Sequence, residues 1–302
     1  MSEVIACDLG SNTLRIVQWN CSTFTRVKEF EKIVRTAEGL HRTGIISNDS
    51  IARILKALEE ASLKFDFKNI PTISVTTEAM RRARNRTLVL GTIKSRYGLN
   101  FRIIDPKEEA FLTRLGVESA LEMNRIDASR YYLFDLGGGS MEITCKEGAN
   151  LFCRSFPIGV VTLAGANPNL ESFSSALTKE LLKVQRVINT WPSLPLLIGV
   201  GGTATTLASF SKGNMYDKYD AKAVTGTVLS KEDCKKFISE LLAMPFELRE
   251  QWIGVGRSNL MNAGVKILTE TMSVLGFDKI TVVDDGLREG TAIAFCNNLP
   301  VK

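Results

Sequence analysis

A duplicated α/β fold, two domains each with a mixed five-stranded sheet, is what this sequence predicts, and three observations predict it. The first is a repeat: Ile5 to Ile16 and Leu133 to Ile143 each run apolar into an Asp (Asp8, Asp135), continue Leu-Gly, pass small residues and return to an apolar run. That pattern reads as strand, tight turn, strand. The second is order, because three strand patterns followed by alternating helix and strand patterns occur twice. The third is length: 302 residues exceed one typical domain and suit two of about 120–180 residues.

In the first half, residues 3–7, 14–20 and 25–34 alternate well enough for three consecutive antiparallel strands. Gly39 to Gly44 is a loop containing His41, read as a loop residue. Ser47 to Asp49 offer capping side chains before Ile51, Ile54, Leu55 and Leu58, which share one helical face. Ile70 to Thr76 is a short buried strand, and a helix closes at Tyr97-Gly98. Phe101 to Ile104 is the next strand. The following helix opens with Asp105 at the N-cap, Pro106 at the first position and Glu108 at the third, where a capping box folds a carboxylate back on the chain. Glu109 is not needed for that cap. At the end of a central strand it is a candidate general base.

Residues 123–130 are polar and irregular, a crossing that sets the domains at 1–124 and 125–302, with the last helix able to pack back on the first domain. The second half repeats the order: strands at 131–136, 141–146 and 151–155, a helical region from about 160 to 189, and a strand from Leu194 to Val200. Gly201, Gly202 and Thr203 then open a helix whose backbone N–H groups suit an anion or the edge of a ribose and base. Residues 211–227 read as a long surface loop, a mobile rim. Ser230 caps a helix with Asp233, Met244-Pro-Phe and Arg257-Ser-Asn259 introduce two more, Ile280 to Val283 is a strand, and Asp285 to Gly290 open the last helix.

The chemistry is concentrated in the two repeated turns. Glycine lets successive N–H groups point into one concavity and hold an anion such as phosphate. The candidate phosphate-binding residues are Gly10, Ser11, Asn12 and Thr13 in the first turn and Gly137, Gly138, Gly139 and Ser140 in the second. Asp at the strand end can hold a Mg²⁺ that grips phosphate oxygens. Two such turns facing one another make a phosphate-binding cleft between the halves.

Composition narrows the class. The formal charge of +5 and pI near 8.8 are compatible with a polyanionic ligand. Six cysteines without C-x-x-C or metal spacing read as reduced core residues of a cytoplasmic protein. No apolar run of about 18 residues predicts a membrane span, and no basic and aromatic module predicts nucleic-acid binding. Trp19, Trp191 and Trp252 read as packing residues. The run Arg81, Arg82, Arg84, Arg86 reads as a solvated basic face, with Arg81 the member assigned to phosphate.

Three antiparallel strands continuing through crossover helices, twice, is the architecture of the duplicated ribonuclease H-like, or actin-like ATPase, fold. Asp8 to Thr13, Thr77 to Asn85, Glu108-Glu109-Ala-Phe-Leu, Asp135 to Glu142, Gly199 to Leu207 and Asp285 to Gly290 together resemble the exopolyphosphatase and guanosine pentaphosphate phosphohydrolase family. The likeness spans the chain in order. Sugar kinases and heat-shock ATPases share the first, fourth and fifth stretches but not the Arg-Asn or Glu-Glu-Ala segments. The resemblance implies a phosphohydrolase that releases the terminal phosphate of inorganic polyphosphate or guanosine pentaphosphate by attack of water. It implies Glu109 as the base, Asp135 and Glu142 as Mg²⁺ ligands with Asp8 joining directly or through water, Arg81 stabilising charge on the phosphoryl group, and Gly201 to Thr203 binding nucleotide or polyphosphate. It also makes a homodimer compatible, although no residue pattern specifies one.

The sequence departs from that family in three places. Asp105-Pro106-Lys107 stands where a Ser-Gly is usual, a stiffer turn before the base. Arg257-Ser-Asn259 stands for Arg-x-Asp. With one histidine the expectation is a short form without the His-Asp domain of long members, which tilts the reading toward short polyphosphates or the nucleotide. The alternatives are an ATP-dependent small-metabolite kinase on the same fold, marked by phosphate transfer rather than release, and a silent guanosine tetra- or pentaphosphate sensor, marked by binding without turnover.

Overall fold

The structure is a computed structural model and describes residues 2–127 and 129–299. The chain folds as two compact units, one formed by residues 1–116 and 286–302 and the other by 117–285.

In chain order the first unit holds β1 (Glu3–Leu9), β2 (Thr13–Asn20), β3 (Thr25–Ile33), α1 (Leu40–Thr43), α2 (Asn48–Ser62), β4 (Thr72–Thr76), α3 (Glu78–Arg82), α4 (Arg86–Tyr97) and β5 (Phe101–Ile103). α5 (Pro106–Met123) follows, its residues to Gly116 counted with the first unit and the rest with the second. The second unit continues with β6 (Arg130–Leu136), β7 (Met141–Glu147), β8 (Asn150–Phe156), α6 (Val160–Ala166), α7 (Leu170–Ile188), β9 (Leu197–Val200), α8 (Gly202–Ser211), α9 (Ala221–Val224), β10 (Thr227–Ser230), α10 (Lys231–Ala243), α11 (Phe246–Ile253), α12 (Ser258–Leu275) and β11 (Lys279–Val282). α13 (Leu287–Cys296) belongs to the first unit.

The sheet of the first unit runs β3-β2-β1-β4-β5, with β1, β4 and β5 parallel and the β1-β2-β3 meander antiparallel. That of the second runs β8-β7-β6-β9-β11-β10, the same order with one strand added. Side chains alternate across each sheet as period two requires. Tyr131 and Leu133 pack with Val117, Ala120 and Leu121 of α5. Tyr132, Phe134 and Leu136 face the opposite core, with α7, α8 and α12. In the first unit Val4, Ala6, Val17 and Trp19 lie against Ala292 and Ile293 of α13.

Several expectations are corrected. The second sheet has six strands rather than five, because β10 pairs antiparallel with β11, Thr227 opposite Val282. Four residues are too few to display a period-two pattern. The surface loop at 211–227 is tied down, with Asp220 capping α9 and Tyr219 donating from its hydroxyl to Asp284. The division falls at 116/117 and 285/286 rather than at 124/125, since the second half of α5 shares the core of β6 and β9. The expected crossing at 123–130 includes residue 128, which lies outside the described residues. Cys21 and Cys296 form a disulfide, Cα atoms 5.2 Å apart, so only Cys7, Cys145, Cys153 and Cys234 are thiols. Glu108 does not fold back on its cap: it pairs with Arg102 at 2.8 and 2.6 Å, where a guanidinium offers two charge-assisted bonds in place of one backbone N–H. Asp105 does cap, accepting from the N–H groups of Lys107 and Glu108 at 2.8 and 2.9 Å. The Glu108 N–H above all holds the Asp105 carboxyl below the usual carboxylate range.

Candidate active site

In the first unit the turn between β1 and β2 is closed by Gly10 N–H donating to Thr13 O at 2.9 Å. The chain leaving β3 then takes its carbonyls: Ala37 N–H reaches Ser11 O at 2.8 Å, and Val34 and Arg35 N–H reach Asn12 O at 2.8 and 2.9 Å. A trans peptide points its C=O and the next N–H in opposite directions. The N–H groups of Asn12 and Thr13 are therefore turned away from residues 34–37.

The second unit repeats the device. Gly137 N–H donates to Ser140 O at 3.0 Å, and the chain leaving β8 takes the loop carbonyls, Val160 N–H to Gly137 O at 3.1 Å and Val161 and Thr162 N–H to Gly138 O at 2.9 and 3.1 Å. The Thr162 hydroxyl donates to Gly139 O at 3.1 Å. Three successive peptides are thus held with the N–H groups of Gly138, Gly139 and Ser140 on the far side, a nest for an anion. Only glycine fits at 159, where a Cβ would lie 2.4 Å from Gly138 O.

Asp135 and Glu142 are direct partners across the β6–β7 pair, so their side chains rise from the same face of the sheet. Glu142 is buried and accepts a bond from the Ser155 hydroxyl at 2.6 Å. Mg²⁺ is characteristically held by one or two carboxylates together with substrate phosphates rather than by an all-protein cage. Among the described residues no group of three or more His, Cys, Asp or Glu is arranged to hold a metal ion. A two-carboxylate oxygen set fits Mg²⁺ on those terms. Asp8 occupies the matching place on β1, but its partner on β2 is Arg15, which is paired with Glu31 at 2.9 Å.

Glu109 and Arg81 are brought together, a pairing that sequence spacing gave no sign of. Glu109 sits in the first turn of α5 and is buried; Arg81 of α3 donates from Nη1 to its Oε2 at 2.8 Å and to Ile104 O at 2.8 Å, and from Nε to Glu78 at 3.1 Å. Burial alone would lower the Arg81 pKa. The facing Glu109 carboxylate, then Glu78, more than offsets this and leaves it raised. Glu109 accordingly sits beside a fixed cation.

Gly201, Gly202 and Thr203 start α8 as expected. Gly201 has φ +93°, and a Cβ there would lie 2.7 Å from Leu136 O, so the strand and helix meet backbone to backbone. Arg257 stacks over the Tyr216 ring at 5.3 Å. Glu250 accepts from the Gly256 N–H at 2.6 Å. Gly159 and Thr162 are not marked in the sequence because they act on a loop about twenty residues away through its backbone groups, and Ser155 because its hydroxyl meets a carboxylate on the neighbouring strand. Their one signal was position, at the end of the third strand of a repeated unit for Ser155 and just past it for Gly159 and Thr162.

These two sheets define a chain of the duplicated actin-like ATPase fold whose repeated turns present backbone N–H groups, with carboxylates at the adjoining strands. The chain belongs to the Ppx/GppA phosphatase family, whose model matches residues 15–298. It is 26% identical to exopolyphosphatase 2 of Mycobacterium tuberculosis, over 97% of this chain and 98% of that one. It is 23% identical to guanosine-5'-triphosphate,3'-diphosphate pyrophosphatase of Vibrio atlanticus, covering 95% of this chain but 58% of that longer protein. A crystal structure of the Aquifex aeolicus Ppx/GppA family member aligns over 98% of both chains with TM-score 0.74 and 27% identity. An exopolyphosphatase from Cytophaga hutchinsonii aligns over 99% of both with TM-score 0.85 and 22% identity, a likeness of fold.

Proposed function

We propose that this protein hydrolyses the terminal phosphoanhydride of inorganic polyphosphate or guanosine pentaphosphate, releasing phosphate. The observation that carries the reading is the twin set of turns whose carbonyls are drawn back by the chain leaving the third strand, leaving N–H groups of residues 12–13 and 138–140 for phosphate oxygens. Family membership supports the reaction class.

In this reading Glu109 takes a proton from the attacking water, and the carboxylate must be ionised to do so. Arg81 favours that state before substrate arrives, and its guanidinium then serves the phosphoryl oxygens. Asp135 and Glu142, with Asp8 as a further candidate, would hold Mg²⁺, which supplies charge neutralisation on the transferring phosphate and orients it. Phosphoryl transfer needs little covalent help, so fixed donors aimed at developing charge supply most of the acceleration. Gly201 to Thr203 at the start of α8 would take a further phosphate or the nucleotide.

The test is phosphate release from polyphosphates of defined length and from guanosine pentaphosphate, with Mg²⁺ present or chelated. Glu109→Gln should lower kcat by at least about 100-fold, the range of a lost general base, while the Kd for substrate stays near that of the unmodified protein. Unchanged turnover in that variant removes the base assignment. Binding without release by the unmodified protein would favour the sensor.

A further inference from the structure

The loop from Gly137 to Ser140 contains three consecutive glycines, and this creates a problem that the loop cannot solve by itself. Glycine reaches either sign of φ at little cost, so a glycine peptide can turn over. A turned peptide would present a carbonyl where the anion needs an N–H. The chain fixes the first two peptides with backbone donors from the start of α6, Val160 N–H on Gly137 O and Val161 and Thr162 N–H on Gly138 O. The third peptide, between Gly139 and Ser140, is held by a side chain: the Thr162 hydroxyl, on a residue 8% exposed, donates to Gly139 O at 3.1 Å. Its distance to Gly159 O, the acceptor one helical turn back, is 3.5 Å, so the loop carbonyl is the better served. The first unit, whose turn has a single glycine, uses backbone donors from residues 34, 35 and 37.

We propose that Thr162 is a positioning residue for phosphate: its hydroxyl locks the Gly139–Ser140 peptide with the Ser140 N–H facing the anion. This rests on the reading of residues 137–140 as a phosphate loop. Thr162→Val keeps the shape and removes only the hydroxyl, whereas Thr162→Ser keeps the hydroxyl.

The experiment follows the ¹⁵N-resolved amide signals of Gly138, Gly139 and Ser140 during titration with inorganic phosphate, and the kinetics of tripolyphosphate hydrolysis. The unmodified protein should show saturable shifts at all three amides. Thr162→Val should need about tenfold more phosphate, the effect of one lost hydrogen bond, with Ser140 most affected and KM raised more than kcat is lowered. Thr162→Ser should titrate within about threefold of the unmodified protein. Should the valine variant fail to fold, Thr162→Ala is compared with Thr162→Ser by the same titration. A valine or alanine variant that titrates like the unmodified protein overturns the proposal, as do loop amides that ignore phosphate. Loop amides that titrate as expected in a protein releasing no phosphate would remove the hydrolase reading and leave the Thr162 lock standing.

Discussion

Cys7 immediately precedes Asp8 on β1, and its burial dominates its chemistry. Fully buried, its thiol is pushed from 9.0 up to about 12, with desolvation the largest cause. The folded-state pKa lies above the unfolded one, so this group's contribution to stability is complete below pH 9 and is lost as pH rises through the window from 9 toward 12. There the unfolded chain has given up a proton that the folded chain retains. The first unit should lose about 1.4 kcal/mol per pH unit across that window from this group. Urea midpoints between pH 8 and 10.5 check it, with Cys7→Ala expected to show a flatter dependence. Equal slopes would mean the thiol is not held neutral in the folded protein. The same burial makes Cys7 a poor nucleophile, so it is a spacer that carries Asp8 to the end of its strand.

At the scale of elements, the sharpest packing demand is the crossing of α5 and α13. A Cβ at Gly290 would lie 1.7 Å from Leu112 O, and one at Gly116 would lie 2.3 Å from Gly286 O. Both obstacles are backbone atoms, which cannot rotate aside. Gly290→Ala should therefore destabilise the first unit by about 3 kcal/mol, the upper range for overpacking, despite alanine's better helix propensity. Thermal unfolding with the variant beside an exposed control such as Gly91→Ala, where a Cβ meets nothing within 4 Å, separates packing from propensity. A Gly290→Ala midpoint no lower than the control's would contradict the crossing. Elements of this kind divide what the sequence could reveal. The strands around Asp8 and Asp135 were legible because alternation and the Asp-Leu-Gly repeat are local, as were the Ser47 and Asp105 caps. The partner of Glu108 was not, since Arg102 competes with the cap only once β5 and α5 are in place. Ser155 and Thr162 were hidden for a similar reason: residue type does not tell which loop carbonyl or carboxylate a hydroxyl will meet.

At the scale of the whole chain, the expected packing of the last helix on the first domain is a long-range return. The first unit is completed only when the chain from residue 286, through α13, returns to it after 117–285. α13 is fixed there by Ala292 and Ile293 under β1 and β2. Charges add to this: Arg288 meets Glu289 and, at 3.1 Å, Glu29, while Arg26 meets Glu289 at 3.4 Å. The Cys21–Cys296 disulfide then joins residues 275 apart in sequence. Closing so long a loop removes unfolded-chain entropy worth about 5.6 kcal/mol in the chain-entropy model, a ceiling that native strain and residual unfolded structure reduce. The apolar and ionic contacts of α13 do not depend on the bond, so the reduced protein should stay folded with a lower midpoint for the first unit. Calorimetry with and without a thiol reductant, and with Cys21→Ser in combination with Cys296→Ser, should give matching losses. Thiol titration of the denatured, unreduced protein should find the four thiols of Cys7, Cys145, Cys153 and Cys234. Titration of all six cysteines without reductant would show the bond absent in solution and leave the return of α13 to packing and charge alone.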